Sequence, residues 1–278
     1  MNLPLVHRPP TPEEELRLQL GISTFTDGSG MLQDGRLPGW RDFERVFAEW
    51  IGGRAPENKE VFDVVVVPTA ARPGHPVGLS VKSKELARST AIVDLLGTGR
   101  VYMELANSPA KFTRALDKLG ISLASEWGNS KSARMIGEAV LDEIESWHSE
   151  AVSAFNAENP SLSFDLASSC YVVVSYSAER FGSARSYQVH SFSLDMPRGL
   201  NWVYLPPKAG KISCLRGVDP VSGESVIDWY AHSGGQLKYY PRAADSRFST
   251  KQFELVPAPT TYRIFERARI YWPNRWPD

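Results

Sequence analysis

The chain has 278 residues, 42% of them hydrophobic and 23% charged, with a formal net charge of −1, a pI near 6.5 and two cysteines. Such a composition describes a globular chain with ample material for a core, and it argues against an indiscriminate polyanion binder, which carries a strong positive excess. Cys170 and Cys214 are too few and too far apart for a disulfide framework or a thiolate metal site. The longest apolar strings, 64–67 and 171–174, fall far short of the roughly 20 residues that a membrane helix needs. No zinc, P-loop or dinucleotide fingerprint is present, so structural zinc, ATP and NAD are not expected. Nothing in the first fifteen residues directs export, which makes a cytoplasmic location the expectation.

In chain order, residues 1–39 read as an arm and loop, broken by Pro9, Pro10 and Pro12 and by a glycine-rich stretch over 28–39, with a short helix at 12–20. Phe43, Val46, Phe47 and Trp50 fall at helical spacing, so a helix is predicted over 40–51, stopped by Gly52-Gly53. Residues 61–68 are β-branched and 77–84 alternate, and the turn-rich segment between them makes a hairpin. A helix over 86–96, a strand over 100–105 and helices over 109–119 and 130–156 follow. From 167 onward the chain is strand-rich, at 171–176, 186–194, 201–205, 226–230 and 237–240. The expected fold is α/β, a mixed central sheet flanked by helices, with a strand-rich C-terminal half. It divides into the arm 1–39, a core 40–165, and a part 166–278 packed with that core.

Charge is unevenly spread. Between 135 and 178 there is no lysine or arginine, while Glu138, Asp142, Glu143, Glu145, Glu150, Glu158 and Asp165 are all acidic. The flanks, 100–134 and 180–216, lean basic. A neutral total therefore conceals a polarised surface whose acidic block should face away from any polyanion.

The chemistry concentrates in the hairpin. Asp63 opens a buried strand, where a carboxylate is costly without a cation beside it. Across the hairpin, period-two alternation puts Ser80, Lys82 and Lys84 on one face and turns Leu79 and Val81 to the core. A carboxylate that can hold a divalent ion, beside an ammonium that can position water, is what phosphodiester hydrolysis needs. Either Lys82 or Lys84 could be level with Asp63, depending on register.

In Asp63, Ser80 and Lys82 the chain resembles the PD-(D/E)xK nuclease superfamily, whose core combines a helix acid, a strand aspartate and a paired strand bearing acid-x-lysine. The order Trp40-Arg41-Asp42-Phe43-Glu44, Glu57-Asn58-Lys59 and Phe62-Asp63-Val64 is similar to that of type II restriction endonucleases. The resemblance spans 40–112, about a quarter of the chain. It departs from the family at Glu60-Val61-Phe62, where a proline often precedes the aspartate, and at Ser80, where the family usually has an acid. Some restriction enzymes carry Ser-x-Lys and recruit a helix glutamate, which makes Glu44, Glu49 and Glu104 candidates, Glu44 first.

The resemblance implies Mg²⁺ held by Asp63, Glu44 and the carbonyl of Val81, water oriented by Lys82, cleavage of double-stranded DNA to 5′-phosphate and 3′-hydroxyl ends, and a homodimer to cut both strands. Recognition would come from the C-terminal half. Gln236, Lys238 and Tyr239 lie at a glycine-turned hairpin over 228–240, and Arg180, Arg185, Arg198, Lys208, Lys211 and Arg216 are further candidates for phosphate or base contacts. Alternatives are a DNA-binding module without turnover and a structure-specific repair nuclease. A serine hydrolase built on His232-Ser233 lacks the G-x-S-x-G elbow and an identifiable orienting acid.

Overall fold

Thr11 and Glu14 cap the first helix reciprocally: the Glu14 amide donates to Thr11 Oγ at 3.3 Å and the Thr11 amide to the Glu14 carboxylate at 2.8 Å. In this computed structural model the described residues are 1–278 apart from 27, 29, 33–35, 57–60, 88–91, 93–94, 96–98, 178–184, 208–212, 258–267, 270–271 and 276–278. Helix α1 (Pro12–Phe25) runs five residues beyond its expected end and carries Gly21 inside it, with Val46 as its neighbour. The first forty residues are also not an arm. Leu3, Leu5, Val6, Leu18 and Ile22 are buried in one core with helix α2 (Trp40–Ile51). That helix has its expected bounds and ends on Gly52 in the left-handed conformation at φ 67°.

Two sheets follow. The first joins β1 (Val64–Val66) antiparallel to β2 (Val77–Glu85), β2 parallel to β4 (Cys170–Tyr176), and β4 antiparallel to β5 (Ser186–Ser193). The short strands β10 (Phe248–Ser249) and β11 (Phe253–Glu254) complete it on β5. The second sheet is antiparallel, in the order β3 (Met103–Asn107), β9 (Gln236–Tyr239), β8 (Ser225–Tyr230), β7 (Cys214–Val218) and β6 (Asn201–Leu205). Between β3 and β4 run helices α3 (Pro109–Lys118), α4 (Leu123–Glu126) and α5 (Ala133–Glu158).

The mixed α/β class is as expected, with a division other than the one at 165. Strands β4 and β5, from beyond 165, pair with β2 and with each other, whereas β3, from before it, belongs to the second sheet. A parallel partner for β2 requires a crossover, and α5 lies on it. Helices α1 and α2 cover one face of the first sheet, where Phe43 and Phe47 meet Val64, Val66, Leu79, Val172 and Val174. On the other face Tyr171, Val173 and Phe192 share a core with Ile136, Val140 and Ile144 of α5 and with Leu215, Ile227, Trp229 and Leu237 of the second sheet. Coverage on both sides explains why β4 is buried throughout. Helix α5 approaches β6 so closely that a Cβ on Gly137 would lie 2.2 Å from the Trp202 ring.

Strand β7 was not anticipated, since Arg216 and Gly217 interrupt its apolar pattern. The predicted helix over 86–96 falls largely outside the described residues. Among the described residues no helix is long and apolar enough to cross a membrane.

Candidate active site

Asp63 stands one residue ahead of β1, and its amide donates to the Leu79 carbonyl at 2.9 Å. Beneath it Phe62 occupies space that only a glycine on β2 leaves open, for a Cβ on Gly78 would lie 2.3 Å from the ring. Phe62 stacks in turn on Phe164 and on His148, with centroids at 5.3 and 5.9 Å. Burial draws the His148 imidazole down to about 4, so it is neutral near pH 7, and its Nε2 lies 3.2 Å from the Tyr171 hydroxyl.

Pairing of Val64 with Leu79 sets Asp63 level with Ser80. Asp63 Oδ2 accepts from Ser80 Oγ at 3.2 Å, from the Val81 amide at 2.8 Å and from Lys82 Nζ at 3.2 Å. Lys82 is thus the lysine at the aspartate. Lys84, two residues on, holds its ammonium 4.5 Å over the Tyr102 ring. The amide and carbonyl of a strand residue point to the same edge, so the Val81 carbonyl is directed to the Asp63 side as well.

Helix α2 supplies the second acid. Glu44 is 6% exposed and its Oε1 is buried without a hydrogen-bond partner. Burial pushes its carboxyl up to about 8, and the neighbouring negative charge of Asp63 and contact with that carboxylate add to the shift. Glu49 points elsewhere, into a groove with Arg17, Arg45 and Trp50, as its helical phase requires. Glu104 lies across the cleft and accepts from Gln236 Nε2.

Together these residues line a cleft of about 570 Å³ walled by α2 (Trp40, Arg41, Glu44), by β2 from Val81 to Lys84, and by the second sheet and its approach (Tyr102, Glu104, Asn107). Among the described residues no group of three or more His, Cys, Asp or Glu could hold a metal ion. The oxygen set on offer is two carboxylates and a peptide carbonyl. It fits a hard divalent cation, which takes oxygen ligands and keeps several waters, and such an ion would satisfy the orphaned Glu44 oxygen.

The recognition candidates are not brought together. Gln236 and Lys238 lie on the face of β9 opposite the core, with Lys238 Nζ 4.5 Å from the Tyr230 ring. Alternation turns Tyr239 the other way, with Leu237, to pack partly buried against the core, and burial raises its phenol to about 12. Arg185 is buried, donating to the Ser177 carbonyl at 3.0 Å and pairing with Glu85 at 3.4 Å.

Arg198 is drawn into the acidic block, pairing with Glu138 at 3.3 Å, Asp142 at 2.6 Å and Glu145 at 2.5 Å along α5. Arg216 forks onto Asp228. Arg180, Lys208, Lys211 and Glu57-Asn58-Lys59 lie outside the described residues. His232 sets its ring edge-on to Trp127 at 5.0 Å.

Trp40, Tyr102 and Asn107 were missed as lining residues. Trp40 could have been found from its position one helical turn before Glu44. Asn107 comes from the second sheet and Tyr102 from the residue just ahead of β3, and the approach of that sheet to the hairpin has no local sequence signal. Comparisons with family models, with curated proteins and with solved structures return no match.

Proposed function

We propose that the chain is a Mg²⁺-dependent, sequence-specific double-stranded DNA endonuclease of the restriction type. The observation that carries this reading is the Lys82 ammonium at 3.2 Å from Asp63 with the unpartnered Glu44 carboxyl oxygen lining the same cleft. Asp63, Glu44 and the Val81 carbonyl would hold the ion. When bound, Mg²⁺ supplies Lewis-acid charge that makes water a stronger acid and offsets charge gathering on the phosphate. Lys82, fixed by Asp63, donates hydrogen bonds to the attacking water and the scissile phosphate. Ser80 and the Val81 amide keep the Asp63 carboxylate aimed across the hairpin.

Gln236 and Lys238 are the candidates for base and phosphate contacts. Cutting both strands of a symmetric site calls for two centres, hence a homodimer on DNA. The family resemblance supplies the 5′-phosphate product, and a cytoplasmic location goes with such a role.

Purified protein incubated with phage DNA should give discrete fragments with Mg²⁺ and none with EDTA or in Lys82→Ala. Intact DNA in every lane, with binding retained, would instead favour a DNA-binding module without turnover. Ser80, standing where the family has an acid, and the resulting two-carboxylate site are the observations on that side.

A further inference from the structure

Trp40 is the first residue of α2 and is 47% exposed, one turn before Glu44, so the periodicity that carries Glu44 into the cleft sets the indole at its mouth. An indole gains much from burial and is usually covered. The Arg41 guanidinium lies 4.9 Å from the ring centroid and braces it. On the facing wall the Lys84 ammonium lies over Tyr102, and on α2 the Glu44 oxygen is buried and unpartnered.

Aromatic walls bearing cations suit a ligand with a flat uncharged face and an anionic tail, which is the chemistry of a nucleotide. A paired duplex presents base edges in its grooves and hides the flat faces in the stack, so it offers Trp40 nothing to stack on. A cleft of about 570 Å³ is also of a size to take a single small ligand. We infer that the cleft takes a nucleotide unstacked from its neighbours, held with its base against Trp40 and its phosphate toward Lys82 and Lys84. This rests on the nuclease reading and adds to it that the DNA opens locally beside the scissile phosphate before it is cut.

The test measures fluorescence anisotropy with Ca²⁺ in place of Mg²⁺, on a paired duplex, the same duplex with a short mismatched bubble, and its single strand. Trp40→Ala should bind the bubble and the single strand roughly tenfold more weakly while changing the paired duplex by less than about twofold. Trp40→Phe should restore most of the loss, and thermal melting should show all variants folded.

Equal binding of all three DNAs by wild type and Trp40→Ala, or an equal loss on all three, overturns the inference. If wild type cuts phage DNA with Mg²⁺ and Lys82→Ala does not, while the Trp40 variants show no selective loss, only this inference falls. Wild type that binds none of the DNAs and also leaves phage DNA intact with Mg²⁺ overturns both it and the nuclease reading.

Discussion

Two carboxylates, one just ahead of β1 and one within β8, are treated in opposite ways by their surroundings. Asp228 in the second sheet is 2% exposed, and everything it needs is supplied by its own sheet: Arg216 in a fork at 2.6 and 2.8 Å, Ser225 Oγ at 3.3 Å and the Tyr240 hydroxyl at 3.3 Å. Asp63 also has three donors, but its neighbour Glu44 is a second acid with an orphaned oxygen and a carboxyl raised to about 8. A closed ion pair maintains a fold. An acid pair short of positive charge is an invitation to a cation, and that difference separates a structural site from a candidate catalytic one.

Removing each group should therefore have different consequences. The largest effect is expected for Lys82→Ala, a loss of about 10²–10⁴-fold in cleavage rate with DNA affinity retained, read by plasmid nicking beside a binding assay. In the second sheet, Arg216→Ala strands a buried carboxylate and should lower stability by about 3 kcal/mol, the low end for a buried pair because the Arg216 side chain is 31% exposed. Urea denaturation would measure this, and cleavage per folded molecule should not change. Ser80→Asp would add a third acid at a residue that is 4% exposed, costing about 2 kcal/mol without metal and tightening Mg²⁺ binding. Melts that respond to Mg²⁺ no more strongly than those of wild type would count against the metal site.

The last test concerns pH. Because the Glu44 carboxyl is raised in the folded state from an ordinary 4.5 to about 8, the folded metal-free protein binds more protons than the unfolded chain in that window. Its contribution to stability is complete below 4.5 and is lost as pH rises through 8. Glu44→Gln should flatten this slope in thermal melts and abolish stabilisation by Mg²⁺, which in wild type should be greatest at the alkaline end. An unchanged slope would remove Glu44 from the pair.

How far the site was legible follows the range of the interactions involved. Helix α2 and the β1–β2 hairpin declare themselves through local periodicity, and with the hairpin Asp63 and the lysine pair, whereas Glu44 is singled out within α2 only by the family resemblance. The choice between Lys82 and Lys84 depends on register, which is set by pairing Val64 with Leu79 and has no signal within either strand. Parity separates Tyr239 from Gln236 and Lys238: Leu237, two residues earlier and apolar, marks that face of β9 as inward. Arg198 was placed among DNA contacts from charge alone, although the acids that capture it lie at i, i+4 and i+7 on one face of α5. The sharing of strands across position 165 was hidden because sheet order is a matter of long-range partners, as when β3 pairs with β9.

The parallel pairing of β2 with β4 has a consequence for biosynthesis. Lys82 lies on a strand whose inner neighbour, level with it at Val173, emerges from the ribosome only after the whole of α5, and β5 follows later still. A nascent chain that already carries Glu44, Asp63 and Lys82 therefore lacks the inner strands that back β2 until Ser193 has been added. For the same reason the C-terminal half cannot be exchanged for another as a cassette at 165, because the graft would remove the strand that supports Lys82.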